Sequence, residues 1–325
     1  MVAAVRVHKV GGPEVLTYEE ITVPAPGPGQ IRVKQHAVGV NFVDAYFRMG
    51  LYPAPGGLPF IAGNEAAGEV VEVGPGVSEF KRGDRVAYVQ GPGCYTQERL
   101  VPAERAVKLP ANISYEQAAA VMLKGLTVEY LLRRTFKVEK GTTLLIHAAA
   151  GGIGLILCQW AKHLGATVIG TVGSKDKAEL ARANGCHHTI LYRDEDFVAR
   201  VKEITAGKLC DVVYDGIGKT TFPGSLDCIR PLGMFVSFGS ASGPIEAFNI
   251  NLLQFKGSLF ATRPTLNTYA AKREDLLAMA AELFAVVGSG AVKVPINQKY
   301  PLRDAAKAHR DLESRATTGS SILLP

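Results

Sequence analysis

Short stretches in which apolar residues alternate with polar ones, or run together, dominate the first third of the chain. Val2–Val10, Leu16–Val23, Ile31–Val38, Ala67–Val73, Arg85–Val89 and Tyr95–Val101 each read as a strand. Gly/Pro clusters such as Pro24-Ala25-Pro26-Gly27-Pro28-Gly29 punctuate them. This spacing predicts a compact, mainly-β unit. From Thr143 the pattern changes to buried apolar runs alternating with helix-period segments. Strands are expected at Thr143–Ala148, Thr167–Val172, His188–Tyr192, Asp211–Asp215, Met234–Phe238 and Ser258–Ala261. Helices are expected between them at Gly152–His163, Lys175–Asn184, Glu195–Ala206 and near Thr221–Ile229. Such alternation predicts an α/β fold with a doubly wound, six-stranded parallel sheet. After residue 265 a long helix (Ala271–Val287), a strand (Lys293–Gln298), a last helix (Leu302–Ser314) and a strand-like tail, Ser320–Pro325, follow. The simplest architecture returns that tail to the first domain and makes the α/β unit an insertion. The expected division is 1–123, 124–264 and 265–325.

Composition narrows the class. The 325 residues are 47% hydrophobic and 20% charged, the balance of a globular protein, and the length fits about two domains. No apolar run approaches the ~20 residues that span a bilayer, so no membrane partner is expected. The N-terminal Met1–Val15 alternates like a strand and lacks a secretory signal's apolar block, which predicts a cytoplasmic protein. Five scattered cysteines without a CxxC pair indicate neither a disulfide framework nor a zinc ribbon. The net charge of +6 comes from lysines and arginines dispersed along the chain, the signature of a solvated surface, and nucleic acid is not expected as a partner.

The most informative stretch is Thr142–Gly165. A strand runs into Ala149-x-Gly151-x-x-Gly154, which opens a helix, and a second strand begins at Thr167. This is the dinucleotide fingerprint with Ala in place of its first glycine. Ala150, Gly151, Gly152, Ile153 and Gly154 are therefore the expected pyrophosphate cradle, at a helix N-terminus whose unpaired N–H groups favour negative charge. At the end of the second strand, where an enzyme using NAD carries a carboxylate for the ribose 2′-OH, the chain reads Val172-Gly173-Ser174-Lys175-Asp176-Lys177. Gly173, Ser174 and Lys177 fit a 2′-phosphate instead, Ser174 as a hydrogen-bond donor and Lys177 as a cation. The expected cofactor is NADPH. The carboxyl ends of later strands face the cofactor in such a sheet, which adds Phe238, Gly239, Ser240, Thr262 and Arg263.

Gly39-Val40-Asn41-Phe42-Val43-Asp44, Gly63-Asn64-Glu65-Ala66-Ala67-Gly68, Gly83-Asp84-Arg85-Val86, Leu123-Lys124-Gly125-Leu126-Thr127 and Ala148–Gly154 together carry a resemblance. The chain resembles the quinone oxidoreductase (zeta-crystallin-like) branch of the medium-chain dehydrogenase/reductases over essentially its whole length. The resemblance implies a GroES-like catalytic domain around a Rossmann insertion, usually as a homodimer. It places Asn41, Tyr46, Tyr52 and Thr127 around the nicotinamide, the first three as candidate catalytic residues. It adds Tyr192 at the adenosine phosphate end, and Ile217 and Arg315, to the cofactor contacts.

Zinc-dependent relatives carry a ligand Cys where this chain has Asn41 and a ligand His where it has Asn64, and an amide is a poor Zn²⁺ ligand. Their four-cysteine structural lobe is missing too, so no metal is expected. Asp44 and Glu65 remain and read as carboxylates that hold strand-end loops by hydrogen bonds. Without a Lewis acid the substrate must itself accept electrons readily, as a quinone or activated enone does. His147, in the first strand of the α/β unit, reads as a satisfied buried residue, and no histidine stands in a nucleophile context. The expected activity is zinc-independent, NADPH-dependent reduction of quinones. The competing activity is NADPH-dependent reduction of the C=C bond of α,β-unsaturated carbonyls. A third reading, of another class, is an NADPH-binding structural or nucleic-acid-binding protein, motivated by the basic pI of 9.0.

Overall fold

The computed structural model describes all residues, Met1–Pro325. The chain forms two compact units. The first comprises Met1–Leu126, Ala271–Gly288 and Val294–Pro325, and the second Thr127–Ala270 with Ser289–Lys293.

The first unit is mainly β. Its strands are β1 (Val2–Val7), β2 (Leu16–Ile21), β3 (Gln30–Val40), β4 (Phe60–Ile61), β5 (Glu65–Val73), β6 (Arg85–Val89), β7 (Glu98–Pro102) and β8 (Ala106–Lys108). From the C-terminal return come β15 (Ile296–Pro301) and β16 (Ser320–Leu324), the intervening numbers belonging to the second unit. A small sheet runs β2-β1-β4 and a larger one β15-β16-β3-β5-β6-β8, with β7 also on β3. The strand-like tail therefore does close the first unit, because β16 lies antiparallel on β3 with Leu323 opposite Val38. Both side chains are fully buried with Ile31, Val33, Val70, Val86 and Val101, and each such aliphatic contributes about 2 kcal/mol.

Two helices interrupt this unit where the sequence pattern predicts none. Helix α1 (Phe42–Arg48) starts at Asn41, an extended cap residue (φ −138°, ψ 154°), and the Asp44 carboxylate three positions on accepts the Asn41 N–H at 2.8 Å. That closes the first turn of a segment whose aromatics otherwise read as a loop. Helix α2 (Tyr115–Glu129) carries no amphipathic period because Ala118–Met122 are all fully buried. It continues as a π-helical turn over Tyr130–Thr135.

The second unit is the α/β layer. Its strands β9 (Thr143–Ile146), β10 (Thr167–Val172), β11 (His188–Leu191), β12 (Cys210–Asp215), β13 (Ile229–Ser237) and β14 (Phe260–Thr262) stand in the order β11-β10-β9-β12-β13-β14. Every neighbouring pair is parallel, so all carboxyl ends lie along one edge. The strand order reverses between β9 and β12, the place where such sheets bind ligands. Helices α3 (Gly152–His163), α4 (Lys175–Ala183), α5 (Phe197–Ile204) and α6 (Phe222–Asp227) connect the strands. β13 begins at Ile229, five residues before the expected Met234, because the breaker-like Pro231-Leu232-Gly233 is absorbed as an irregularity, with Leu232 at φ 62°.

Candidate active site

The cradle forms where β9 turns into α3. Ala148 sits in the left-handed region (φ 57°) and its carbonyl accepts the Gly151 N–H at 2.9 Å, which aims the loop into the helix. A Cβ on Gly154 would stand 2.4 Å from the Ala148 carbonyl oxygen and 2.6 Å from that of Ala149, so only glycine fits there. Gly151 is the N-cap of α3 and has no side chain over the helix end. The N–H groups of Gly152, Ile153 and Gly154 occupy the first turn, where an α-helix leaves its donors without intrahelical partners.

Around the cradle the sheet edge is braced from beneath. His147 follows β9, with Nδ1 3.0 Å from Thr171 Oγ1 and Nε2 3.0 Å from Ser225 Oγ. Burial lowers its pKa and keeps the ring neutral. Ser225 in turn donates to Asp215 Oδ2 at 2.8 Å. Asp215, fully buried at the end of β12, accepts the N–H groups of Ile217 (2.8 Å) and Gly218 (2.9 Å) and the Thr221 hydroxyl. The turn bearing Ile217 is thereby pinned, and His147 is structural.

Further expected cofactor contacts sit on the same edge. Ser174 is the N-cap of α4, its Oγ accepting the Lys177 N–H at 3.4 Å; its own O–H remains a donor. A Cβ on Gly173 would stand 2.9 Å from the Tyr192 hydroxyl, so the half-exposed Tyr192 ring reaches over the Gly173 backbone. Arg263, beside Thr262 at the end of β14, places Nη1 2.9 Å from Ser237 Oγ and 3.1 Å from the Gly239 carbonyl, and Nη2 3.0 Å from Ser240 Oγ. Its guanidinium holds the Phe238–Ser240 loop. Thr127 is buried near the end of α2, and the Tyr130 ring, which opens the π-helical turn, stacks on Tyr269 at 4.7 Å.

In the first unit the expected catalytic residues cluster about α1. The Asn41 amide donates to Glu65 Oε1 (2.8 Å), and Glu65 also accepts the Leu123 N–H (2.6 Å) and the Lys124 ammonium (3.1 Å). A Cβ on Gly39 would stand 2.2 Å from that same Glu65 oxygen, so glycine at position 39 is what admits the carboxylate. Asn64 donates its amide to Asp44. The Tyr46 ring lies edge-on to Tyr52 at 5.4 Å, and the Tyr46 carbonyl accepts the Leu51 and Tyr52 N–H groups (2.9 and 3.2 Å). Tyr46 is buried and Tyr52 half-buried. Arg315 belongs to this unit as well, in a left-handed turn (φ 61°) after the helix Ala305–Glu313. Sequence reasoning passed over Lys124 as a partner of Glu65, and Tyr95 and His309, which reach Asp44 only through tertiary contacts.

Zinc does not fit here. Asn41 and Asn64 each spend an amide N–H on a carboxylate, and no group of three or more His, Cys, Asp or Glu residues is arranged to hold a metal ion. The zinc-binding dehydrogenase and alcohol dehydrogenase GroES-like family descriptions match residues 152–282 and 27–111, respectively. A quinone oxidoreductase of Pseudomonas aeruginosa is 54% identical over 97% of both chains. The chain belongs to the quinone oxidoreductase branch of the medium-chain dehydrogenase/reductases. The crystal structure of Escherichia coli quinone oxidoreductase complexed with NADPH superposes with a TM-score of 0.97 at 51% identity, covering 99% of this chain and 100% of that one. A 2-haloacrylate reductase of Burkholderia is 49% identical over 100% of this chain and 99% of its own.

Proposed function

We propose that the protein is an NADPH:quinone oxidoreductase that works without zinc, as a cytoplasmic homodimer. The observation that carries this reading is a glycine-shaped phosphate cradle in a chain whose Asn41 and Asn64 amides are bonded to the Glu65 and Asp44 carboxylates. The cradle fits NADPH: Gly151–Gly154 take the pyrophosphate, and Ser174 and Lys177 take the 2′-phosphate. Bound there, the cofactor supplies the reducing electrons.

The chain's own residues orient and enclose. Asn41 is locked by Glu65 and its own backbone, so its remaining amide valences point in one direction. Tyr46 and Tyr52 present flat, weakly polar faces suited to a planar acceptor. Thr127, Tyr192, Ile217, Phe238, Gly239, Ser240, Thr262, Arg263 and Arg315 complete the proposed cofactor contacts. Arg263 acts there by shaping the Phe238–Ser240 loop, since its guanidinium is engaged. No histidine is offered as a base, and water supplies the proton a reduced quinone needs.

Homodimer formation is supported by the open edge of β14, beside which Ile250, Phe255 and Phe260 are largely exposed. A cytoplasmic setting is supported by five buried free thiols. The test is NADPH oxidation followed at about 340 nm with a small quinone, with and without chelator. Activity that survives chelation is expected; activity lost on chelation and restored by zinc would sink the proposal. The relative that reduces 2-haloacrylate favours, more weakly, reduction of an activated C=C bond. Product analysis with an enal separates the two, because that reaction leaves the carbonyl in place.

A further inference from the structure

The first unit buries a chain of polar side chains that no cofactor or substrate contact uses. The Arg48 guanidinium, fully buried on α1, pairs with Glu313 through two prongs (2.6 and 3.0 Å) and reaches the Gly11 carbonyl through Nε (3.0 Å). Its Nη1 also stands 3.0 Å from His309 Nδ1. On the other side of that ring, Nε2 is 2.9 Å from the Tyr95 hydroxyl, which is 3.0 Å from Asp44 Oδ2. His309, Tyr95 and Asp44 are as buried as Arg48.

The direction of every hydrogen bond follows from the donor inventory. A guanidinium only donates, so His309 Nδ1 accepts. Burial, with Arg48 beside it, pushes His309 down to about 3, so the ring is neutral and its one proton sits on Nε2. That N–H donates to the Tyr95 oxygen, and the single Tyr95 proton is left for Asp44. The chain runs one way, from cation to carboxylate. Asp44 then accepts three donors: the Tyr95 O–H, the Asn41 N–H and the Asn64 amide.

We propose that Tyr95 and His309 are positioning residues for the reductase reaction: aligned by Arg48, they direct one hydrogen bond onto Asp44, hold its carboxylate charged, and so fix Asn41 and Asn64. The inference rests on the quinone reductase reading above. A protonated Asp44 could not keep this arrangement. Its hydroxyl would need an acceptor, yet every group facing the carboxylate is a donor, so the Asn64 amide would have to turn or the cap of α1 would open. The surroundings offer no other support for the charge. Glu65, from the start of β5, repels it, and the Lys124 ammonium of α2 is bonded to Glu65. Cys94, before β7, is a thiol that burial pushes up to about 11. Arg48 lies on α1 itself, and Glu313 neutralises it from the last helix. Burial raises Asp44 to about 6 even with its three donors, so losing one brings its protonation into the working range.

The experiment is a pH profile of kcat/KM for a non-titrating quinone, with NADPH, in wild type, Tyr95→Phe, His309→Ala and His309→Gln. Removing the Tyr95 O–H takes away one hydrogen bond to a charged acceptor, about one pH unit. The acid limb of Tyr95→Phe is therefore expected about one unit higher, with the ratio of kcat/KM at pH 6 to that at pH 8.5 falling about fivefold. His309→Ala should shift the limb in the same direction. His309→Gln, whose amide can accept from Arg48 and donate to Tyr95, should bring it back. Folded Tyr95→Phe and His309→Ala proteins with the wild-type limb would overturn the proposal. Infrared titration of the buried carboxyl band, assigned by its loss in Asp44→Asn, reads the same shift without turnover. A wild type that reduces no quinone sinks the functional reading, whereas an unmoved carboxyl band sinks this one.

Discussion

At the rim of the cradle, Ser174 is committed to the cap of α4 by the Lys177 N–H it accepts, so replacing it would weaken the helix as well as the phosphate site. Lys177 is the cleaner probe of cofactor choice. In Lys177→Ala the KM for NADPH should rise about tenfold, the cost of one charge-assisted contact to phosphate, while the KM for NADH should hardly move; steady-state kinetics with both cofactors decide it. Asp44 allows a test of stability. Its folded-state pKa is raised from 3.8 to about 6 by burial, so the native state holds the proton more tightly than the unfolded chain. Stability from this group is present below pH 3.8 and is lost as pH rises through about 6. The difference is about 3 kcal/mol at neutral pH. Denaturant unfolding of wild type and Asp44→Asn should therefore show the wild type losing about that much, relative to the variant, between pH 4 and pH 7. A parallel pH dependence in the two proteins would refute it. The same variant should lose activity, because the charge that costs stability is the one that seats Asn41 and Asn64.

Helix α3 shows how an element can be legible from sequence: its glycines, the strand before it and the strand after it are all local signals. Adding a side chain at Gly154 should break the element at its first turn. Gly154→Val forces a Cβ to within 2.4 Å of the Ala148 carbonyl oxygen, costs about 1–3 kcal/mol of overpacking, and should abolish NADPH binding in a fluorescence titration. If that variant binds NADPH normally, the cradle is misplaced. The α/β alternation was readable for the same reason: each parallel strand is an apolar run flanked by turn residues. Helices α1 and α2 were not. In α1 the cap depends on Asp44 reaching back to Asn41, inside a segment whose aromatics mimic a loop. In α2, Ala118–Met122 are buried all round, so no polar face marks the turns. The Arg48–His309–Tyr95–Asp44 chain was least legible of all, since it joins residues from α1, the loop before β7 and the last helix, and neither spacing nor motif links them. Of the expected site residues, Arg263 has its guanidinium tied to Ser237, Gly239 and Ser240, a contact that only the folded sheet edge reveals.

At the scale of the whole molecule, the net charge of +6 is spread over dispersed side chains and offers no block for nucleic acid. The unusual surface is apolar. Strand β14 ends the six-stranded sheet and pairs on one side only, with β13. An open edge with bare backbone donors and acceptors is an aggregation hazard unless charges, bulges or a partner cover it. Here the strand carries Phe260 at 58% exposure, the helix Asn251–Phe255 just before it carries Phe255 at 76%, and Ile250 adds 72%. In the proposed homodimer, a second copy of the same edge, related by a two-fold axis, covers these aromatics with no open end left over. The strand itself, Phe260-Ala261-Thr262, contains neither proline nor a charge that would blunt it. Sedimentation or light scattering should then give twice the 34.6 kDa chain mass for the wild type. Phe260→Glu places a carboxylate in the middle of that cover, and burying it unpaired costs more than the edge can return. The variant should sediment at the single-chain mass while retaining NADPH binding, since the cradle lies at the carboxyl ends of the strands and uses no residue of the Asn251–Phe260 segment. A wild type that is monomeric at micromolar concentration, or a Phe260→Glu protein that stays dimeric, would remove the β14 edge as the dimer contact.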